Sequence, residues 1–308
     1  MYARKTVSLF LSLLMLLSFS AFSAAEEITV TDMCGREITL PAPAERIVIL
    51  EPSDCEILDA LGAADRIIGR GAYCDHPASI ANVPVVQSGY DTNVEEIIAL
   101  GPDLVIMNTM NQDPAGITQL EQAGITVLAS QSTDIEGVYM NIRAIGTCLG
   151  KSEEAEAVIA SMQATFAVVG ADKEALAGKT VYFEVSPLEW GLWTAGADTF
   201  MDEIASLLGL TNIFADVSGW AEVSEEQVIA RDPDYIVTIS MYYGEGPTPV
   251  EEILGRPGWE NISAVKNGAI LNLADNELSR PSPCLAFGAQ LLFDFVMSVQ
   301  ETDEQIAA

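Results

Sequence analysis

Aromatic side chains that suit a large flat ligand recur in loops of this sequence, six just beyond a predicted strand and Trp220 just before the second copy of a repeated pattern. These residues are Tyr73, Tyr90, Trp190, Trp193, Trp220, Tyr242 and Tyr243. Ligands of open α/β sheets bind beyond the carboxyl ends of the strands, and aromatic rings supply large apolar contact areas. The clustering therefore predicts a cleft for a flat or macrocyclic ligand, although any one of these residues could instead anchor its loop.

Residues that would support catalysis are sparse. His76 is the single histidine, it precedes Pro77, and it belongs to neither a GxSxG nor an HExxH pattern. No P-loop and no GxGxxG motif occurs, and the 45 acidic residues are too many for a particular carboxylate pair to stand out. We predict no catalytic residue, no metal-ligating set and no cofactor. His76 is interpreted as an exposed loop residue or a ligand contact.

The five cysteines do not have the CxxC spacing of zinc sites; they are Cys34, Cys55, Cys74, Cys148 and Cys284. Cys55 and Cys74 follow the first two core strands. Sequential parallel strands are usually neighbours, so both thiols are expected at one edge of the first sheet. Three alternatives remain open: a disulfide, two free half-buried thiols, or thiols that face the ligand with Cys284 opposite. Soft thiolates would suit cobalt or haem iron.

One sequence pattern occurs twice. Asn93–Ile106 and Ser224–Val237 each combine an N-cap, an acidic first turn, an Ile-Ala pair, a Pro-Asp pair and a strand. Glu95 and Glu226 occupy the same helical position, and each stands near a helix N-terminus. They serve either to compensate the helix dipole or to present one carboxylate on the same face of two similar lobes.

The N-terminus is typical of a secretory signal peptide. Arg4 and Lys5 precede an apolar run over Val7–Phe22, and small residues follow, so we assign residues 1–25 to the signal. The alternative is an uncleaved anchor, although the run is short for a membrane span. No cysteine stands at the cleavage site, which argues against a lipid anchor. A location outside the cytoplasmic membrane follows, secreted or periplasmic.

Charge excludes further classes. Without Arg4 and Lys5, 12 of the 14 basic residues remain against 45 acidic ones, a net charge of −33. Such a chain is not expected to bind nucleic acid or an anionic membrane surface.

Strands alternate with helices in both halves, which predicts an α/β fold with two parallel-sheet lobes. The predicted units are an N-terminal lobe over residues 26–150, one long connecting helix over residues 151–177 and a C-terminal lobe over residues 178–308. Ser53 and Ser152 are expected to cap helices. We also expect a small N-terminal hairpin within Ile28–Leu40 with its turn at Asp32–Arg36, a short strand at Val83–Val86 and a final helix over Pro281–Val299.

Several motifs, taken in order, resemble the class III periplasmic-binding-protein family, the receptors that serve ABC importers of cobalamin, ferric siderophores and haem. The motifs are Thr31–Arg36, Pro43–Val48, Glu56–Gly62, Tyr73–Pro77, Glu95–Ile106, Glu226–Val237 and Ser279–Pro283.

The resemblance implies two Rossmann-like lobes, a shallow cleft and little hinge motion. It also implies that Glu95 and Glu226 dock to a permease dimer, and that the aromatic loop residues, with Arg280 as a candidate cation, contact a corrinoid, iron–siderophore or haem ligand. Scarce cleft arginine argues against a strongly anionic catecholate. The alternatives are a chelatase-like enzyme on the same scaffold, which would act on a metallated tetrapyrrole, and a surface adhesion module.

Overall fold

The computed structural model describes residues 27–109, 114–242, 244, 246–273 and 276–307. The predicted signal peptide and Tyr243 lie outside them. The described chain begins with an antiparallel hairpin of β1 (Ile28–Thr31) and β2 (Glu37–Leu40), as predicted. The Asp32 carboxylate stabilises the turn. It accepts hydrogen bonds from the backbone N–H groups of Cys34 and Arg36, and it forms an ion pair with the Arg36 guanidinium.

The N-terminal sheet has four parallel strands in the order β4-β3-β5-β6. Its strands are β3 (Ile47–Ile49), β4 (Ile67–Arg70), β5 (Leu104–Asn108) and β6 (Thr126–Ser130). Its helices are α1 (Pro52–Ala60), α2 (Val94–Leu100), α3 (Pro114–Gln122) and α4 (Ile135–Cys148). The predicted strand at Val83–Val86 is wrong: Val85 makes only an isolated bridge to Arg70, because Pro84 has no N–H to donate to a ladder.

The predicted cap of α1 is also wrong. The helix begins two residues earlier, at Pro52, and Glu51 occupies the N-cap position. Proline favours the first helical position, where its missing N–H costs nothing and its fixed φ suits the helix. Ser53 is therefore buried inside the first turn. Glu51 is left at the end of β3 with its carboxyl group free of helix capping.

The long connecting helix is α5 (Ser152–Val169), and Lys151, not the expected Ser152, is its N-cap. It ends at Val169, short of the predicted residue 177, and a 3-10 turn at Lys173–Leu176 follows. A Cβ at the C-cap, Gly170, would lie 3.1 Å from the Phe166 carbonyl oxygen. The buried side of α5 packs against the core that both halves of the chain share.

The C-terminal sheet mixes directions, which corrects the expectation of a purely parallel sheet. Its strands are β7 (Thr180–Ser186), β8 (Trp193–Ala195), β9 (Thr211–Asn212), β10 (Trp220–Glu222), β11 (Tyr235–Thr238) and β12 (Ile270–Asn272). Strands β7, β11 and β12 are parallel, and β9 is parallel to the start of β7. Strand β8 runs antiparallel to both β7 and β10.

Five helices accompany this second sheet, and the last of them ends the described chain. They are α6 (Phe200–Leu208), α7 (Glu225–Arg231), α8 (Pro249–Leu254), α9 (Ser263–Asn267) and α10 (Cys284–Ala307). The last helix begins three residues later than predicted and packs along α5. Within the described part of the chain, no helix has both the length and the hydropathy to cross a bilayer.

The two copies of the repeated pattern fold alike. Asn93 caps α2 and Ser224 caps α7, each through its side-chain oxygen, as predicted. The aspartates that follow tie each copy to the first core strand of its own half. The Asp103 carboxylate accepts the backbone N–H of Arg46, before β3, and the Asp234 carboxylate accepts that of Thr180, at the start of β7.

Candidate functional site

The carboxyl ends of the two sheets meet around a cavity of about 360 Å³, which we call the interlobe cavity. Glu51, Asn108 and Ser132 line it from the ends of β3, β5 and β6. Ser186, at the end of β7, and Ser279 line it from the other half of the chain. Strand ends of this kind are where open α/β sheets bind ligands.

Two of the predicted aromatic residues form a wall of this cavity. Trp193 and Trp220 lie on the paired strands β8 and β10, not in loops as expected. Trp220 packs edge-on against Phe200, with 5.5 Å between the ring centroids. Trp193 is 40% exposed, so part of its indole remains available to a ligand.

A second cavity, of about 680 Å³, lies at the carboxyl ends of β7 and β11, and we call it the C-terminal cavity. Trp190 and Tyr242 line it, as does Met241. Val185 and Ser186 line both cavities, so the two spaces are neighbours. The indole N–H of Trp190 donates to the Glu189 carboxylate at 2.8 Å. Four of the five tryptophan and tyrosine residues predicted in the C-terminal half thus line two adjoining spaces: Trp190, Trp193, Trp220 and Tyr242.

Tyr73 and Tyr90 do not line either cavity. They are 81% and 77% exposed, on loops that follow β4 and the Arg70–Val85 bridge. Their side chains are exposed to solvent, but the structure does not bring them onto the cavity walls.

Arg280 is bound to other residues of the protein. Its guanidinium donates to Glu56 at 2.8 Å and to Asp75 at 3.0 Å, and Ser282 donates a short hydrogen bond to the same Glu56 carboxylate. Burial opposes the charge on Arg280, but the bonds to Glu56 and Asp75 outweigh it and raise its pKa. Arg280 therefore joins α1 to the segment before α10, and its charge is already neutralised.

The sequence analysis missed Glu51, which the structure places in the interlobe cavity. Burial, and then the nearby Asp54 carboxylate, raise the pKa of Glu51 to about 7, while Arg280 opposes this shift. Asp54 lies deeper and accepts hydrogen bonds from Ser130 and Asn141, each at 2.7 Å; burial raises its pKa to about 6. The position of Glu51 directly after a core strand was the signal that could have identified it.

The cysteines are free throughout the described residues. Cys55 and Cys74 are buried neighbours, as their positions after sequential strands predicted, and a hydrogen bond between the two thiols raises the pKa of Cys55. Burial, and then the Glu56 charge, raise the pKa of Cys284 to about 11. His76 is exposed and lies 3.3 Å from the Asp59 carboxylate, and it lines neither cavity.

Glu95 and Glu226 occupy the second position of α2 and of α7, and both are exposed. Hydrogen bonds to its own backbone and to Ser224 lower the pKa of Glu226, so it is charged at neutral pH. Among the described residues, no group of three or more His, Cys, Asp or Glu side chains is arranged to hold a metal ion.

The fold and its interlobe cavity are those of a periplasmic binding protein. The model of the periplasmic binding protein family matches residues 47–277, and the chain belongs to this family. It is 31% identical over 279 residues to an uncharacterized ABC transporter substrate-binding lipoprotein of Bacillus subtilis, across 87% of this chain and 85% of that protein. It is 30% identical over 266 residues to a cobalamin-binding protein of Halobacterium salinarum, across 83% and 70% of the two chains.

Solved structures agree. The fold matches a possible iron-binding (periplasmic solute-binding) protein of Staphylococcus epidermidis with a TM-score of 0.70 and 29% identity, over 82% of this chain and 98% of that one. It also matches an ABC-type Fe3+-hydroxamate transport system structure from Saccharomonospora viridis, with a TM-score of 0.72 and 26% identity, over 87% and 98%. These are proteins of the two-lobed class III fold, as expected from the sequence motifs.

Proposed function

We propose that this protein is an extracytoplasmic receptor that binds a metal chelate and delivers it to an ABC importer. The observation that carries the proposal is the interlobe cavity, where strand ends of both sheets meet an aromatic wall of Trp193 and Trp220. Membership of the periplasmic binding protein family supports it, and so do relatives named for binding cobalamin or transporting Fe3+-hydroxamate. The ligand class is a corrinoid, a ferric siderophore or haem.

Different aromatic residues contact different parts of the ligand. Trp193 and Trp220 offer faces to the part of the ligand held between the lobes, since flat rings stack well on indoles. Trp190 and Tyr242 receive what extends into the C-terminal cavity. Tyr73 and Tyr90, which are exposed on loops and line neither cavity, cover the ligand once it is bound. A ligand that spans both cavities would be larger than a single amino acid or sugar.

Little movement between the lobes is needed. The buried ion pair of Arg280 with Glu56 ties α1 to the segment that precedes α10. Helix α5 packs along both α4 and α10. These links favour a largely preformed cleft, in which binding adjusts rim side chains more than it closes the lobes.

Delivery requires recognition by the importer. We assign this role to Glu95 and Glu226, which lie at equivalent positions of the two repeat copies and are exposed. Two exposed carboxylates, one on each of two similar lobes, match the symmetry of a permease dimer in which each subunit supplies one basic partner. The predicted signal peptide would carry the receptor to the outer face of the cytoplasmic membrane or to the periplasm.

A chelatase-like enzyme is less well supported. Metal insertion into a tetrapyrrole needs groups that take up the displaced protons. Within the described part of the chain, Glu51 is the one ionisable side chain that lines the interlobe cavity. A binding role needs no such set of groups.

Titration of the mature protein with cyanocobalamin, haemin, ferrichrome and ferrioxamine B tests the proposal. Tryptophan fluorescence reports binding, because indoles line both cavities. We expect at least one probe to bind with a Kd of about 1 μM or below, and to be recovered chemically unchanged. If none of the four probes binds, the proposed ligand classes are wrong. Conversion of any probe to a new product would favour the enzyme.

A further inference from the structure

The charges around the cleft point to a specific chemical class of ligand. We propose that the chelate is neutral or cationic where it enters the interlobe cavity, and that it donates a hydrogen bond or presents a positive charge to Glu51. The inference rests on the proposed function and narrows it. It favours amide-bearing corrinoids and neutral or cationic hydroxamates over chelates that insert carboxylates.

The first observation is the make-up of the interlobe cavity. Of the described residues that line it, Glu51 alone carries a charge, and the rest are apolar, aromatic or neutral polar groups. Among the described residues the structure gives the Glu51 carboxylate neither a hydrogen bond nor an ion pair, although the side chain is partly buried. A buried carboxylate favours a donor or a cation as its partner.

The second observation concerns Arg280, which stands between the cavity-lining residues Ser279 and Pro281, and Arg70, at the carboxyl end of β4: both are already engaged. Arg280 is held by Glu56 and Asp75. The guanidinium of Arg70 donates to the backbone carbonyls of Cys74, Ile80 and Ala81. A ligand carboxylate would have to compete with these bonds, so neither arginine is a ready anion receptor.

The residues that line the C-terminal cavity also carry negative charge, like Glu51 in the interlobe cavity. Glu184, Glu189 and Glu252 line it. Arg256, the cation beside them, is itself buried and forms ion pairs with Glu184 and Glu252. Both spaces thus present carboxylates, in a chain whose formal net charge is −31. The field of such a surface lowers the local concentration of anionic ligands.

Matched probes on one scaffold give the sharpest test. Dicyanocobinamide and dicyanocobyrinic acid share a corrin ring and cobalt, but the first carries peripheral amides and the second carboxylates. Ferrioxamine B carries an ammonium group, and its N-succinyl derivative carries a carboxylate in that place. At pH 8, on whichever scaffold binds, we expect the amide or cationic form to bind at least about tenfold more tightly than its partner, which is about 1.4 kcal/mol.

Variants assign the effect to Glu51. E51Q keeps the shape of the side chain and is expected to reduce the preference several-fold, and E51K to reverse it. E153Q serves as the control, because Glu153 is an exposed acid on α5 away from both cavities; it should leave the preference unchanged. Circular dichroism confirms that each variant is folded.

A pH series provides a second measurement that needs no variant. Asp54 on the same helix and Arg280 from the segment before α10 are the charged groups that act on Glu51. Protonation of Glu51 should weaken the preference for the amide or cationic form as the pH falls from 8 to 6. The opposite trend would contradict the role of Glu51.

The failures are distinguishable. If the carboxylate probe binds as tightly as its amide partner, or if E51Q leaves the preference intact, the inference is wrong and the receptor function stands. If no probe of either scaffold binds, and haemin does not bind either, the proposed function fails and the inference fails with it.

Discussion

The guanidinium of Arg280 lies 2.8 Å from the carboxylate of Glu56, a residue 224 positions earlier in the chain. The two side chains are only 11% and 5% exposed. Glu56 belongs to α1, in the N-terminal half, and Arg280 precedes α10, in the C-terminal half. This buried ion pair joins the two halves of the chain.

Removal of the Arg280 side chain should therefore destabilise the protein strongly. R280A leaves the Glu56 carboxylate buried with Ser282 as its remaining partner, and breaking one side of a buried pair typically costs about 3–5 kcal/mol. R143A is the control, because the Arg143–Glu156 pair is 42% and 59% exposed and should contribute little to stability. Urea unfolding measures both. Equal losses in the two variants would contradict the proposed tie between the halves.

The tryptophan wall should determine affinity. W193A removes an indole that lines the interlobe cavity and is partly exposed, so we expect the chelate to bind about tenfold or more weakly, with little change in the unfolding free energy. F287A is the control, since Phe287 is 57% exposed on α10 and lines neither cavity. Calorimetric titration provides the comparison. Unchanged affinity in W193A would remove this residue from the site.

The carboxyl group of Glu51 should make the unliganded protein less stable as the pH rises. The folded chain holds this proton up to a pKa of about 7, and the unfolded chain releases it near 4.5. Stability from the raised pKa is present below about pH 4.5 and is lost as the pH rises through 7. E51Q should therefore gain about 1–2 kcal/mol over the wild type at pH 8 and nothing at pH 4.5. Denaturant unfolding at pH 8 and at pH 4.5 measures this difference. If E51Q were more stable than the wild type at pH 4.5 but not at pH 8, the prediction would be wrong.

If Glu95 and Glu226 dock to the permease, their removal should impair transport without impairing chelate binding. The double variant E95A/E226A removes two exposed first-turn carboxylates, so chelate affinity should stay within about twofold while uptake by cells that depend on this receptor falls to background. The matched control is E153A/E174A, which removes two exposed acids from α5 and from the 3-10 turn after it. Wild-type uptake by E95A/E226A, or equal loss in the control, would remove the docking assignment.

Thiol chemistry distinguishes the remaining alternatives for the cysteines. Cys55, Cys74 and Cys148 are fully buried, and Cys34 is exposed. We expect Cys34 to react first with a thiol reagent in the native protein, because burial both blocks access and disfavours the thiolate. Denaturation without reductant should expose five free thiols. Three free thiols with a linked Cys55–Cys74 peptide would instead establish a disulfide.

Local features of the fold were predictable from the sequence. Helix caps such as Asn93 and Ser224 and the turn at Asp32 depend on residues a few positions apart. Such short-range hydrogen bonds and backbone preferences act in the same way in most folds. The alternation of strands and helices, and with it the α/β class, follows from the same local patterns. Where two local rules competed, as at Pro52 and Ser53, the sequence alone did not show which would prevail.

Long-range relationships were decided only by the tertiary structure. Nothing in the local sequence around Trp193 or Trp220 indicates that β8 and β10 pair in antiparallel fashion, because strand pairing depends on partners distant in the chain. The same holds for Arg280: its type suggested a ligand contact, and packing against Glu56 made it an internal tie. Glu51 acquires its position in the cavity because two sheets, folded from different halves of the chain, bring their strand ends together around it.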